Sequence, residues 1–189
     1  RIEDEFKKIK KYQKMIKFVY QNQPKGTGDA VLKTKNLIKD NYFLMLLPDD
    51  LILKKNCSKD MISLHKKKNC SVMASMLVNK KTVNRWGIYS KGKKIDKSNF
   101  YIEDVIEKPE LKLAPSRNAV IGRYILPKKI FYKLRKQKKG KNGEIHITDS
   151  IRTLINEGDK FIGHTFQGKY LDCGTMEGYL NSSLEISKI

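Results

Sequence analysis

The chain has 189 residues and a mass of 21.9 kDa, which is long enough for one domain with a substantial core and short for two. Hydrophobic residues make up 39% of it and aromatic residues 9%, which excludes a disordered chain. Forty Lys and Arg against twenty Asp and Glu give a formal net charge of +20, which indicates an anionic partner such as nucleic acid. However, only six of the forty basic residues are arginines. Specific nucleic-acid readers favour the arginine fork, so the lysine-rich charge alone does not predict nucleic-acid binding.

The cysteines and the hydropathy indicate a compartment. Cys57, Cys70 and Cys173 are an odd number without C-x-x-C spacing, so the sequence favours neither a disulfide framework nor a zinc knuckle. No apolar run approaches the roughly 20 residues of a membrane-spanning helix, and no signal peptide opens the chain. We therefore expect a reduced, cytoplasmic protein without a membrane partner.

The first forty residues combine a helical pattern with a glycine-containing loop. Apolar residues recur at helical spacing, at Ile2, Phe6, Ile9 and Ile16, which predicts an amphipathic helix packed on a core. Residues 18–20 predict a short strand, residues 21–28 a loop, and residues 29–38 approximately a helix. The loop glycines, Gly26 and Gly28, permit backbone conformations that other residues resist.

The rest of the chain alternates strand and helix patterns. Residues 42–47 are apolar on both faces, which predicts a central strand of a parallel sheet that stops at Pro48. Further strands are predicted over residues 71–78, 86–89, 101–106, 119–126 and 161–166. A helix is predicted over residues 59–68. A second is predicted to begin at a Thr148 cap and to end at Gly158, and a third to begin at a Thr175 cap. Residues 136–142 are predicted to form a basic loop tip. The pattern predicts a single domain over residues 1–189 of the α/β class, with a Rossmann-like mixed, mostly parallel sheet flanked by helices.

Polar residues follow several predicted strands. Ligands of open α/β sheets bind beyond the carboxyl ends of the strands, and the candidates there are Gln21 with Gly26 and Gly28, Asp49 with Asp50, Glu107 with Lys108, and Asp172. Two separated carboxylates near a phosphorylated ligand suit a divalent cation such as Mg²⁺. Each group taken alone is also compatible with an ordinary turn or a helix cap.

Other chemistries find little support in the sequence. His65, His146 and His164 share no metal-ligand spacing, so we expect structural or exposed histidines. No G-x-S-x-G elbow or Cys/His pairing indicates a covalent nucleophile.

Six motifs in order carry a resemblance to a known family. They are QNQPKGTGDA at residues 21–30, LLPD at 46–49, IEKP at 106–109, AVIGRY at 119–124, TDSI at 148–151 and YLDCG at 170–174. The chain resembles the sugar-nucleotide pyrophosphorylases, most closely the bacterial UTP–glucose-1-phosphate uridylyltransferases. Each motif is weak alone, whereas the ordered set from about residue 18 onward is specific.

The resemblance implies an activity and a set of site residues. In this family the phosphate oxygen of glucose 1-phosphate attacks the α-phosphorus of UTP, which gives UDP-glucose and pyrophosphate with Mg²⁺ as cofactor. The roles it implies are uracil contacts for Gln21 and Gly26, metal ligation for Asp49 and Asp172, a glucose contact for Glu107, a sugar-phosphate contact for Lys108, and a sugar-pocket lining for Gly87 and Val120. Asp49, Asp172 and Lys108 would be the catalytic residues. UTP and glucose 1-phosphate would be the partners, without a specific nucleic acid, and a homo-oligomer is compatible with this reading.

The sequence departs from the family in two places. Trp86 stands where relatives often have Tyr, so the choice of hexose stays open. The family's glycine-rich triphosphate loop, G-x-G-T-R with a following Pro and Lys, has no match in residues 1–17. The chain thus resembles the C-terminal two-thirds of the family, and we expect this polypeptide alone to be inactive or severely impaired.

Three alternatives remain open from the sequence. One is a thymidylyltransferase or another sugar-1-phosphate nucleotidyltransferase. The second, from a different class, is a basic nucleic-acid-binding α/β domain, and the third is a gene product without activity.

Overall fold

The computed structural model describes residues 2–140 and 143–189, without the side chains of residues 2, 3, 5 and 6. Arg1 and two residues of the predicted basic loop tip, 141 and 142, lie outside the described residues. The helices are α1 Ile2–Lys10, α2 Thr27–Lys33, α3 Cys57–Lys68, α4 Ile130–Lys136, α5 Ile147–Asn156 and α6 Met176–Ile186. The strands are β1 Tyr42–Leu46, β2 Asp50–Leu53, β3 Ser71–Leu77, β4 Gly87–Lys94, β5 Asn99–Glu107, β6 Asn118–Pro127, β7 Phe161–Thr165 and β8 Lys169–Asp172. Short 3₁₀ helices span Gln13–Met15 and Lys80–Arg85.

Six strands form one mixed sheet in the order β1-β6-β3-β7-β5-β4, and β2 and β8 form a separate two-stranded sheet. The predicted α/β class with a mixed sheet and flanking helices is confirmed. Among the described strands, however, parallel pairing is confined to β3 and β7, and the other neighbours are antiparallel. The reason is that β6 runs antiparallel between β1 and β3, so strands that share a direction are not hydrogen-bonded to each other there.

Helices cover both faces of the large sheet because β6 carries apolar side chains on both of its faces. Val120 and Tyr124 pack into the cluster that contains α5 residues Ile151 and Leu154. Ile121 and Ile125 point to the opposite face and join the cluster of α3. Successive side chains of a strand alternate between faces, so this one strand anchors both apolar layers.

The segment before α2 differs from its prediction. Residues 18–20 form no strand, and the Phe18 and Tyr20 side chains are each 81% exposed. An apolar triplet becomes a strand only where a neighbour pairs with its backbone, and these residues have no strand partner in the described chain. Helix α2 begins at Thr27 and ends at Lys33, after which turns replace the predicted helical continuation. Helix α1 covers Ile2–Lys10, but Ile9 and Ile16 are exposed, so the predicted packing of these two residues on a core is wrong; the side chains of Ile2 and Phe6 lie outside the described part of the structure.

Strand β1 lies at the edge of the sheet, although its apolar sequence predicted a central position. Its backbone pairs with β6 on one side, and no strand of the described residues pairs with it on the other. Leu44 and Leu46 are exposed, Leu46 by 50%. An uninterrupted apolar run indicates that both faces of a strand can be covered. It does not indicate whether other strands pair with both of its edges.

Two of the three predicted caps have the expected geometry. Thr175 caps α6 by accepting a hydrogen bond from the Gly178 backbone, and the Gly158 backbone closes α5 by donating to Ile155. Thr148, by contrast, lies inside the first turn of α5 rather than before it. Thr148 therefore does not occupy the capping position, and its hydroxyl instead donates a hydrogen bond to Glu107, a partner from another element.

The described part of the chain contains no helix long and apolar enough to cross a bilayer. All three cysteines carry free thiols, and Cys57 and Cys70 are buried. Burial raises the pKa of the Cys57 thiol to about 11. This thiol therefore stays protonated near neutral pH.

Candidate functional site

A cleft of about 330 Å³ lies where several strands end. Six of the eight site residues predicted from the sequence line it: Asp49, Gly87, Glu107, Lys108, Val120 and Asp172. The ends of β1, β5 and β8 and the beginnings of β4 and β6 supply them. The sheet therefore brings together residues that are more than 120 positions apart along the chain.

Asp49 and Asp172 approach each other because of the small sheet. The register of β2 against β8 pairs Asp50 with Asp172, and the Cys173 backbone donates a 2.8 Å hydrogen bond to the Asp49 carbonyl. A Cβ built on Gly174 would lie 2.9 Å from Asp49 Oδ2 and 3.2 Å from Asp172 Oδ1. The missing side chain of Gly174 therefore leaves space that both carboxylates share.

This donor set fits a small divalent cation. Mg²⁺ prefers carboxylate oxygens and usually takes one or two of them from the protein, with water and substrate phosphates as the other ligands. Two carboxylates that converge on one space carry like charges, and a cation between them removes the repulsion. The described residues contain no cluster of three or more His, Cys, Asp or Glu side chains of metal-site geometry. Asp49 and Asp172 are the carboxylates of the cleft that could hold such an ion, with other ligands from water and substrate.

Asp50 differs from Asp49 in environment. Its side chain is buried, its Oδ2 accepts a 2.6 Å hydrogen bond from the Gly122 backbone, and its Oδ1 accepts one from the Tyr170 hydroxyl. Burial raises the pKa of Asp50, while the Tyr170 and Gly122 hydrogen bonds act in the opposite direction. The Asp50 carbonyl also accepts a hydrogen bond from the Arg123 guanidinium. Asp50 thus ties β2 to β6 and β8, whereas Asp49 faces outward.

Glu107 and Lys108 line the same cleft. The Thr148 hydroxyl donates a 2.8 Å hydrogen bond to Glu107 Oε2, which orients this carboxylate at the cleft. A Cβ on Gly87 would lie 3.2 Å from the same oxygen and 3.1 Å from Val120 Cγ2. Gly87 therefore keeps open the space beside Glu107 that the resemblance assigns to the sugar.

Lys108 has an unusual backbone. Its φ of 43° lies in the left-handed region, which residues other than glycine rarely adopt. Its backbone donates a 3.0 Å hydrogen bond to the Trp86 carbonyl, and the buried Pro109 follows it. A strained non-glycine residue persists only where the surrounding structure holds it in place, and such residues cluster at functional sites.

A pair of substitutions tests this strain. We expect the Lys108→Gly variant to be more stable than Lys108→Ala by about 1 kcal/mol, because only glycine adopts a positive φ without steric cost. Urea denaturation of both variants measures the difference. Equal stabilities, or a more stable alanine variant, would contradict the strain.

Gln21 and Gly26 lie outside the acid-lined cleft. The Gln21 amide donates a 2.7 Å hydrogen bond to Asp29 Oδ2 and a 3.2 Å one to the Gly26 carbonyl, so the loop closes on itself. Gly26 has a φ of 96° and packs against the Ile145 backbone, where a Cβ would lie 2.7 Å from the carbonyl oxygen. Thr27, next along the chain, does line the cleft.

Several cleft residues were not singled out by sequence reasoning. His146 lines the wall near Glu144 with its Nδ1 3.8 Å from that carboxylate, although all three histidines were expected to be structural or exposed. The other two are structural: the Nδ1 of His65 lies 2.7 Å from the Cys70 carbonyl, and that of the buried His164 lies 2.8 Å from Asn99 Oδ1. Arg85, Thr148 and Tyr170 also line the cleft.

The rarity of arginine was a signal for one of these residues. In a chain whose bases are nearly all lysine, an arginine marks a position where a planar fork with several donors is useful. Arg123 donates to the carbonyls of Leu47 and Asp50, and Arg152 binds both carboxylate oxygens of Asp104. Arg85 stands in the cleft itself.

Comparison with known proteins finds a matching family model and similar sequences. A family model described as nucleotidyl transferase matches residues 1–189. A Methanocaldococcus jannaschii protein is 38% identical over 171 residues, which are 90% of this chain and 59% of that protein. The Pseudomonas aeruginosa protein named UTP–glucose-1-phosphate uridylyltransferase is 37% identical over 171 residues, 88% of this chain and 60% of its own length. The chain thus spans about three-fifths of the curated relatives it matches.

Solved structures give the same result. A crystal structure of UDP-glucose pyrophosphorylase complexed with UDP-glucose superposes with a TM-score of 0.87 at 38% identity, over 98% of this chain and 73% of that one. An apo structure of UDP-glucose pyrophosphorylase gives a TM-score of 0.89 at 37% identity, over 100% of this chain and 70% of that one. The full-length match to the family model, together with relatives above 30% identity, identifies the chain as a member of the nucleotidyl transferase family.

Proposed function

We propose that this chain acts in the transfer of a uridylyl group from UTP to glucose 1-phosphate, which forms UDP-glucose and releases pyrophosphate. The observation that carries the proposal is the convergence of Asp49 and Asp172 on one space, in the same cleft as Glu107 and Lys108. The names of the relatives support the nucleotide and the sugar. Residues 1–189 would form a single nucleotidyltransferase domain.

The reaction needs no nucleophile from the protein. An oxygen of the glucose 1-phosphate phosphate forms a bond to the α-phosphorus of UTP, and the bond to the pyrophosphate oxygen breaks with its electron pair. Lys108 would hold the sugar phosphate as a point charge, and Glu107, oriented by Thr148, would accept hydrogen bonds from glucose hydroxyls. Positioning and charge stabilisation are the main contributions that phosphoryl chemistry asks of a protein.

Asp49 and Asp172 would hold the Mg²⁺ ion. When bound, Mg²⁺ neutralises the charge on the phosphate oxygens and orients the reacting groups. The two aspartates would contribute by holding the ion in the cleft that Lys108 also lines. Gln21 and Gly26 would contact the uracil, and the cleft position of Thr27 next to Gly26 supports this assignment.

Thermal unfolding with ligand tests the proposal. A ligand that binds only the native state, at 100 times its Kd, stabilises it by about 2.7 kcal/mol, which corresponds to about 5–10 °C for a chain of this size. We expect UDP-glucose with Mg²⁺ to raise the Tm of the chain and dTDP-glucose to raise it less. Circular dichroism on the same sample verifies that it is folded.

The other outcomes are informative. A larger shift with dTDP-glucose would favour the thymidylyl alternative. A folded sample without a shift with either sugar nucleotide, but with a strongly salt-dependent affinity for DNA or RNA, would favour the nucleic-acid alternative that the net charge of +20 suggests. The reduced activity of this polypeptide alone stays a prediction, and pyrophosphate release at a rate typical of the family would contradict it.

A further inference from the structure

The charges that line the cleft are unbalanced. Asp49, Glu107, Glu144 and Asp172 line it together with Asp50, whose buried carboxylate is bonded to Gly122 and Tyr170. Among the described residues, the permanently charged cations in the lining are Arg85 and Lys108. Each phosphate group of a sugar nucleotide adds negative charge. A metal ion held by Asp49 and Asp172 would offset those two acids, and the phosphates would then depend on Arg85 and Lys108 for further neutralisation.

Arg85 has unused hydrogen-bonding capacity. Its closest acidic partner is Asp172, and the distance from Arg85 Nη2 to Asp172 Oδ2 is 3.9 Å, which is too long for a hydrogen bond. The side chain is 58% exposed. In contrast, the forks of Arg123 and Arg152 are occupied by protein oxygens. Arg85 therefore holds a guanidinium in the cleft without a tight partner among the residues that the structure describes.

The backbone of Arg85 is well fixed. It ends the 3₁₀ helix Lys80–Arg85, which Asn79 caps through a hydrogen bond from Lys81 and which the buried Val83 anchors to the core. The next residue, Trp86, accepts a hydrogen bond from the Lys108 backbone. The segments that carry the two cations are thus tied together, with Gly87 between them.

We propose that Arg85 is a phosphate-binding residue of the cleft, which contacts the phosphate or diphosphate of the bound sugar nucleotide together with Lys108. A guanidinium presents a planar fork that binds two phosphate oxygens at once, whereas an ammonium acts as a point charge. Arg85 would fix the orientation of the phosphate group, and Lys108 would supply charge. The identity of the ligand as a sugar nucleotide rests on the function proposed above, whereas the anion site itself does not.

Calorimetric titration of the chain with UDP-glucose and Mg²⁺, and separately with inorganic pyrophosphate and Mg²⁺, tests the proposal. Arg85→Gln should weaken both affinities about tenfold to hundredfold, as expected for charge-assisted hydrogen bonds. Arg85→Lys should recover part of the loss. The matched control is Arg117→Gln, which removes the same charge from an exposed position outside the cleft.

The outcomes separate this inference from the proposed function. If the unaltered chain binds UDP-glucose and Arg85→Gln matches Arg117→Gln, the role of Arg85 is wrong and the function stands. If the chain binds pyrophosphate but not UDP-glucose, and the Arg85→Gln variant no longer binds pyrophosphate, the anion site stands and the proposed function is wrong. If the chain in a folded state binds neither probe, both are overturned. Thermal unfolding of the variants checks that each is folded.

Discussion

Asp49→Asn and Asp172→Asn are each expected to reduce uridylyl transfer by about 100-fold to 1,000-fold, because a metal ion contributes several kcal/mol to the stabilisation of the transition state. The two carboxylates share the space beside Gly174, so loss of either one leaves half of the protein's donor set. Turnover is measured as pyrophosphate release from UTP, and both substitutions are made in a form of the protein that shows this activity.

The same variants also give a readout without turnover. Mn²⁺ binding to the chain, followed by electron paramagnetic resonance, should weaken at least tenfold in each variant. Stability should stay constant or increase, since an amide in place of one carboxylate relieves repulsion among Asp49, Asp50 and Asp172. Asp40→Asn, at an exposed position outside the cleft, is the matched control. Unchanged Mn²⁺ affinity in either variant would remove that aspartate from the metal site.

Gly122→Ala is expected to destabilise the chain by about 2–4 kcal/mol through overpacking and the loss of a buried hydrogen bond. A Cβ on Gly122 would lie 2.3 Å from Asp50 Oδ2 and 2.5 Å from Leu47 Cβ. Neither neighbour moves easily, because Asp50 is also held by Tyr170 and Leu47 is held by its backbone hydrogen bond to Gly122. The Tm should fall by about 5–15 °C.

A second glycine provides the control for this prediction. The three atoms nearest to a Cβ on Gly92 all belong to the flexible, exposed Glu103 side chain, so Gly92→Ala should change the Tm little. If the clash at Gly122 acts through Asp50, the cost of Gly122→Ala should shrink in an Asp50→Ala background. Equal Tm values for Gly122→Ala and Gly92→Ala would show that the strands accommodate the methyl group.

Sequence reasoning selected residues that the structure places in one cleft, because strand ends are easy to recognise in a sequence. Asp49, Glu107, Lys108 and Asp172 each follow or end an apolar segment, and the structure brings all four into one cleft. The contacts of Gln21 were harder to predict, since a side-chain amide in a loop has many local partners. Here Asp29 and the Gly26 carbonyl engage it.

Neighbouring aspartates show what local sequence cannot distinguish. Asp49 and Asp50 occupy adjacent positions after the same apolar run. One is exposed beside Asp172, and the other is buried and bonded to Gly122 and Tyr170. Only the pairing of β2 with β8 and the approach of β6 decide between these roles, because the partners come from distant positions in the chain.

The amino-acid sequence by itself determined the α/β class, most of the strands and helices, and the carboxylates and the lysine at strand ends, because hydropathy periods and turn residues act over a few neighbouring positions. The tertiary structure decided the antiparallel course of β6, the edge position of β1, the buried role of Asp50 and the entry of Arg85 and His146 into the cleft. Each of these depends on contacts between segments far apart in the chain, which no local pattern encodes.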